Sequence, residues 1–185
     1  MLLHDPAIRA ARPNLHVGML LLRRAHRLDL QCDRHGPDPA CGSSHPVAWL
    51  CAARAAEAGL RAPVFDLDRI DGTLHVRLAA GDEMFENVGS GISPLTAGEV
   101  IFVDAAGRVH ARDWTAQRSP HAILSDGTRT ALVVVQARQP GAAPTVRRLL
   151  QRLAATLHEG GGAVETFDLA LPGPRRPDGW RAGAR

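Results

Sequence analysis

The run ALVVVQA, Ala131–Ala137, decides how the rest of the chain must be arranged. Its consecutive valines are stiff at χ1 and suit a pleated backbone better than a helix. Polar residues do not alternate with apolar ones, so the run predicts a strand buried on both faces. Such a strand belongs at the middle of a sheet, with packed material above and below it.

Partner strands can be found on both sides of it in the chain. LHVGMLLL, Leu15–Leu22, is apolar enough for a second inner strand. EVIFVD, Glu99–Asp104, and RVHAR, Arg108–Arg112, flank the short turn AAG and form a predicted hairpin. Leu74, Val76 and Leu78 alternate with His75 and Arg77, a half-buried strand entered through the turn Asp71-Gly72. AVETFDL, Ala163–Leu169, is the last strand. Between Gly81 and Gly98, GDEMFENVGSGISPLTAG holds too much Gly and Ser to predict regular structure.

Two helices complete the pattern. HPVAWLCAARAAEA, His45–Ala58, has Ser44 as its expected N-cap, Pro46 in the first turn and Gly59 as its stop. Val47, Leu50, Cys51 and Arg54 mark the edge of its apolar face. The second helix starts at an expected Thr145 cap and carries Val146, Leu149, Leu150, Leu153 and Leu157 at helical spacing up to Gly160. The helices do not alternate with the strands. The fold class read from this order is α+β: a single compact domain over residues 1–167 with flanking helices. Residues 168–185, rich in Pro, Gly and Arg, predict a disordered tail.

Composition narrows function less than fold. At 185 residues the chain can bury about two thirds of its extended surface. Hydrophobic residues make up 45% and aromatic ones only 4%, so the core must be mostly aliphatic. The net charge of +3 is carried by Arg alone, with no Lys, and is weak evidence for a polyanionic partner. The amino-terminal stretch lacks an apolar segment of signal length, and VGMLLL is too short to span a membrane. The odd count of cysteines argues against a disulfide framework. These features predict a cytoplasmic protein with no membrane partner.

Three motifs carry a resemblance: FDLDRIDG at Phe65–Gly72, GEVIFVDAAGRV at Gly98–Val109 and RDWTAQRS at Arg112–Ser119. In this order and spacing they resemble the B3/B4 domain of the phenylalanyl-tRNA synthetase beta subunit in its freestanding, single-domain form. The likeness covers roughly Leu15–Val164 and includes PNLHVGMLLLRRA and the first helix. It implies the PheT/B3-B4-like fold, with a β-sandwich-like sheet core and flanking helices, and an RNA-associated role, in which tRNA carrying the wrong amino acid is bound or hydrolysed. The sequence shows no aminoacylation motif. Relatives read RRWNWRQS at the hairpin; Arg112, Trp114 and Ser119 match this, whereas Asp113, Thr115, Ala116, Gln117 and Arg118 depart from it. The family's editing His would fall at or beside Pro63, so that role is not carried over.

The candidate residues follow from ester chemistry and from phosphate recognition. Hydrolysis of an activated ester needs a positioned water, an acceptor for its proton and donors for the oxyanion. Glu83, Glu86 and Asp113 are the candidate catalytic acceptors. Asn87, Gly89, Ser90, Gly91, Trp114 and Ser119 are the candidate substrate pocket, where glycine lets backbone approach a ligand closely. Arg112, Arg118, Arg23 and Arg24 are candidate RNA-binding residues, since a guanidinium fork fits phosphate; a mixed-charge solvated face is the plain alternative. Asp68 and Asp71 are expected to cap local backbone, with Leu67 and Ile70 entering the core. Cys32, His35, Cys41 and His45 have donors fit for zinc, but their spacing matches no common finger, and no metal or other cofactor is expected. Three functions stand on this reading: a tRNA-interacting domain acting as a trans-acting aminoacyl-tRNA editing deacylase, a non-catalytic tRNA-binding module, or a small-molecule or amino-acid binding protein.

Overall fold

The computed structural model describes residues 2–30, 43–89, 91–112 and 117–169. The valine run lies in β9, Thr130–Ala137. It is paired antiparallel with β2, His16–Arg23, on one side and β3, Val64–Asp66, on the other. β10, Ala163–Leu169, adds to the outer edge of β2, giving the order β10-β2-β9-β3.

Both faces of this sheet are covered, which explains the missing alternation. Leu20 and Leu22 of β2 and Ala131, Val133 and Val135 of β9 pack with α2, Pro46–Glu57, and α3, Ala143–Glu159. The opposite face, with Val17, Met19, Phe65, Leu132 and Val134, packs on Leu74, Val76, Val100, Phe102 and Ala111 of a second sheet. That sheet is built from β1 (Leu2–His4), β4 (Leu74–Leu78), β7 (Val100–Val103) and β8 (Val109–Arg112), in the order β1-β4-β7-β8. The sandwich expected from the sequence is present, with a helical layer on one side. Each aliphatic side chain fully buried between layers contributes on the order of 1.5–3 kcal/mol. At Gly18 helix α3 approaches so closely that a Cβ would stand 2.3 Å from Leu150 Cδ1.

Several expectations are corrected. β1 pairs parallel with β4, and the short helix α1, Pro6–Ala11, follows it; neither was predicted. Residues expected to be irregular form a hairpin of β5, Met84–Asn87, and β6, Gly91–Pro94. Its outer face carries exposed Met84 and Ile92 while Phe85 alone is buried, so the polar alternation that announces a strand is missing. Phe85 joins Leu95, Ile101, Val103 and Val109 in a small core beneath the hairpin.

The cap of α2 is His45 rather than Ser44: its Nδ1 accepts from the Val47 amide at 3.2 Å, and the Ser43 hydroxyl accepts from the His45 amide. Helix α3 begins before Thr145, with Pro144 in its first turn and no side-chain cap. In FDLDRIDG, Asp66 rather than Asp71 makes the local cap, accepting from the Asp68 amide and from the Thr128 hydroxyl. Asp68 reaches further, to the Arg129 and Thr130 amides at the start of β9. Ile70 is buried and Leu67 half-buried. The tail expected over 168–185 starts later than that, since Asp168 and Leu169 still belong to β10; the rest of it lies outside the described residues.

Candidate functional site

Of the polar side chains singled out from the sequence, Glu86 and Asn87 lie in the β5–β6 hairpin and Arg112 at the end of β8. The organising group is one the sequence reading passed over, Asp104. Its Oδ1 accepts from the Ala106 amide at 3.0 Å and the Arg108 amide at 2.9 Å, which closes the AAG turn. Its Oδ2 accepts from the Asp71 amide and from His110 Nε2 at 3.0 Å. Burial pushes the Asp104 carboxyl up, but the bonds from His110 and from the Arg108 and Asp71 amides prevail and hold it below the usual range.

His110 reaches Asp104 because β8 is bulged. Phe102 pairs with Ala111 and Val103 with Val109, which leaves His110 as the extra residue of the strand. A bulge re-aims the side chain it carries. Burial lowers the His110 pKa, and the Asp104 carboxylate offsets this only in part, so the ring is neutral. With Nε2–H donating to Asp104, Nδ1 accepts the Ser119 hydroxyl at 3.2 Å. Ser, His and Asp therefore form a hydrogen-bonded row, as in a hydrolase triad. Yet the His110 and Asp104 side chains and the whole of Ser119 are 0% exposed. A nucleophile must touch its carbonyl, and this hydroxyl presents no surface to one. The row works as an internal clamp, reinforced by the bond from the Ser119 amide to the His110 carbonyl at 3.0 Å.

The arginine beside Ser119 is also placed against expectation. Arg118, expected to face RNA, is only 4% exposed. Its guanidinium lies over the Phe65 ring at 5.1 Å and donates to the Gln117 carbonyl at 2.7 Å. Phe65 in turn stacks on Phe102, so Arg118 ties this segment to the inter-sheet core.

Glu83 is similarly engaged. Its carboxylate accepts from the Ala80 and Gly81 amides, each at 3.0 Å, and pairs with Arg77. Burial raises its pKa, but the Ala80 amide, Arg77 and the Gly81 amide outweigh that and pull it down to about 2. A carboxylate so acidic is a poor acceptor for the proton of water.

Glu86, Asn87, Gly89 and Gly91 lie on the β5–β6 hairpin, and Arg112 reaches it from β8. Arg112, at the end of β8, pairs with Glu99 at 2.9 Å and donates to the Ser93 hydroxyl of β6 at 3.4 Å. A quarter of its side chain remains exposed. Glu86 lies 3.5 Å from His121 Nε2, and both side chains reach solvent. Asn87 is half-buried, and a Cβ at Gly89 or Gly91 would meet only open space. The Val88 amide bonds the Arg118 carbonyl, which holds the tip against the 117–122 segment. Ser90, Asp113 and Trp114 lie outside the described residues.

Arg23 and Arg24 belong to the other sheet, at the end of β2. Arg23 pairs with Glu165 at 3.3 Å across to β10, and Arg24 turns the chain with φ 63°. Of the four candidate zinc donors, His45 caps α2, and Cys32, His35 and Cys41 lie outside the described residues. Among the described residues no three His, Cys, Asp or Glu side chains are gathered as a metal would need, and no helix is long and apolar enough to cross a membrane.

No family model matches the sequence. No curated protein matches it either. Among solved structures, the chain is similar to an N-terminal fragment of the phenylalanyl-tRNA synthetase beta subunit from Pyrococcus horikoshii, with a TM-score of 0.63 and 16% identity. The match covers 89% of this chain and 50% of that one, so this chain spans half the length of the fragment. At that identity the likeness is one of fold alone: an α+β domain with a mixed sheet and helices, similar in fold to part of that fragment.

Proposed function

We propose that this chain is an RNA-interacting domain whose partner is tRNA or aminoacyl-tRNA, and that it has no aminoacylation activity of its own. The observation that carries the reading is the fold likeness to a tRNA synthetase subunit over 89% of the chain. The hairpin tip supplies the contact surface in this reading. Arg112 offers a fork for phosphate or ribose, held in place by Glu99 and Ser93. Gly89 and Gly91 leave the backbone open to a close approach.

A second reading adds hydrolysis of the aminoacyl ester. It is favoured by Glu86 and His121, an acid and an imidazole 3.5 Å apart and partly exposed beside the glycine tip. With Glu83 committed to its turn and Ser119 enclosed, Glu86 is the described candidate that can orient water, and His121 can take up its proton.

The test is tRNA binding by anisotropy at low and moderate salt, followed by single-turnover deacylation of a panel of charged tRNAs. Salt-sensitive binding is expected, because phosphate contacts release counterions. Folded protein that fails to bind tRNA at low salt would overturn the RNA reading. Binding without ester loss would leave a tRNA-binding module and end the hydrolytic one.

A further inference from the structure

The face of β9 that sends Leu132 and Val134 into the inter-sheet core ends at Gln136. Arg61 pairs with Gln136 across an isolated antiparallel bridge. Arg138 follows two residues along the chain. These three residues line an open cleft of about 130 Å³, together with Gly59, Leu60, Ala137 and Gln139.

The chemistry of the lining is one-sided. Among the described residues the lining includes two arginines and two glutamines, and no acidic residue. Glu57, the acid just before this stretch, is taken up by Arg54 at 2.9 Å and Arg152 at 3.7 Å. Helix α2 ends here, but the Ala55 and Ala56 carbonyls already accept from the Ala58, Gly59 and Leu60 amides, which blunts the negative end of the helix. The side-chain nitrogen of Gln136 is buried and has no hydrogen-bond partner. A buried donor left unmade is costly, so this amide gains a bond by turning towards an acceptor in the cleft.

We propose that Arg61, Arg138 and Gln136 form a binding site for a phosphate oxyanion. The two guanidinium forks clamp its oxygens, and the Gln136 amide donates the third contact after a small rotation towards the opening. The volume exceeds the ~10–15 Å³ that one water requires and suits a single phosphate group with little attached to it inside. The phosphate belongs either to an RNA backbone or to a small phosphomonoester. The RNA source rests on the function proposed above; the anion site does not.

The experiment follows the Gln136 side-chain amide by ¹H–¹⁵N NMR while inorganic phosphate is added against sodium chloride at equal ionic strength. A saturable shift specific to phosphate is expected. The paired variant Arg61→Gln with Arg138→Gln should weaken phosphate binding at least tenfold, and Gln136→Leu, which keeps both cations, should weaken it severalfold by calorimetry. A response that does not saturate, or that chloride reproduces, would overturn the site. So would unchanged phosphate affinity in whichever of these variants folds.

Transfer RNA is then added to the phosphate-loaded protein. Displacement of phosphate, with a salt dependence of tRNA binding shallower by about one contact in the paired variant, assigns the anion to RNA. An unchanged salt dependence assigns it to a small phosphomonoester. Phosphate binding in a protein that binds no tRNA would keep this site and overturn the function proposed above.

Discussion

Replacing Glu83 by Gln separates a structural carboxylate from a catalytic one. The carboxylate accepts from two amides and an arginine, and its side chain is only 11% exposed. The drop of its pKa to about 2 from an ordinary 4.5 corresponds to ~3 kcal/mol of interaction that only the charged form makes. Gln retains the shape and one acceptor but loses the charge, so Glu83→Gln should cost about 2–3 kcal/mol at neutral pH. Because the folded-state pKa is depressed, this contribution is present above the unfolded value near 4.5 and is lost as pH falls towards 2. Urea titrations of the wild type and Glu83→Gln at pH 7, 5 and 3 read the gap directly. It should be full at pH 7, close to full at pH 5 and clearly reduced at pH 3. A gap of the same size at pH 3 would refute the electrostatic account. Loss of ester hydrolysis with stability unchanged at pH 7 would return Glu83 to a catalytic role.

Four further outcomes are expected. Gly18→Ala would place a methyl 2.3 Å from Leu150 Cδ1 and 2.9 Å from Val146 Cγ1, so it should cost ~1–3 kcal/mol by overpacking and lower Tm; an unchanged Tm would mean that α3 is seated less tightly. Burial lowers the His4 pKa from 6.5 to about 4, so the folded state binds fewer protons than the unfolded one between these values and stability falls as pH drops through them. That loss should reach at most ~3 kcal/mol and be absent in His4→Phe, as denaturation at pH 7 and 4.5 would show; equal slopes would refute it. Ser119→Ala strips His110 Nδ1 of its donor and should cost ~1–3 kcal/mol while leaving any deacylation intact; a folded variant that loses hydrolysis would make this hydroxyl a nucleophile. Arg112→Ala leaves Glu99 without its fork and should cost about 1 kcal/mol of stability, with tRNA affinity falling severalfold by anisotropy; unchanged affinity would make the hairpin tip scaffold.

That β9 is covered on both faces followed from local pattern, because periodicity is a property of the backbone. An unbroken valine run must be covered twice, and β9 is, by α2 and α3 on one face and by the second sheet on the other. The leucine spacing of α3 and the AAG turn between β7 and β8 were legible for the same reason. Where the local pattern was silent, the reading failed. The β5–β6 hairpin exposes Met84 and Ile92, so it carries no alternation to be read. Arg112, Glu86 and the glycine loop were grouped through the family resemblance and not through local pattern, since Arg112 lies on β8 and the others on the unpredicted β5–β6 hairpin.

The state of each polar group was decided only by tertiary contact. Arg118 looks like a surface arginine until Phe65, far along the chain, comes beneath it. Ser119 looks like a pocket hydroxyl until a one-residue bulge turns His110 onto it and Asp104 fixes the tautomer. Glu83 and Glu86 differ little as sequence, yet one is locked by two amides and an arginine while the other stands open beside His121. The anion-binding face of Arg61, Gln136 and Arg138 exists only because β9 pairs with a segment that precedes it by much of the chain. Side-chain periodicity extends over a few residues, whereas burial, charge and hydrogen-bond partners depend on which distant segments the packed layers bring into contact.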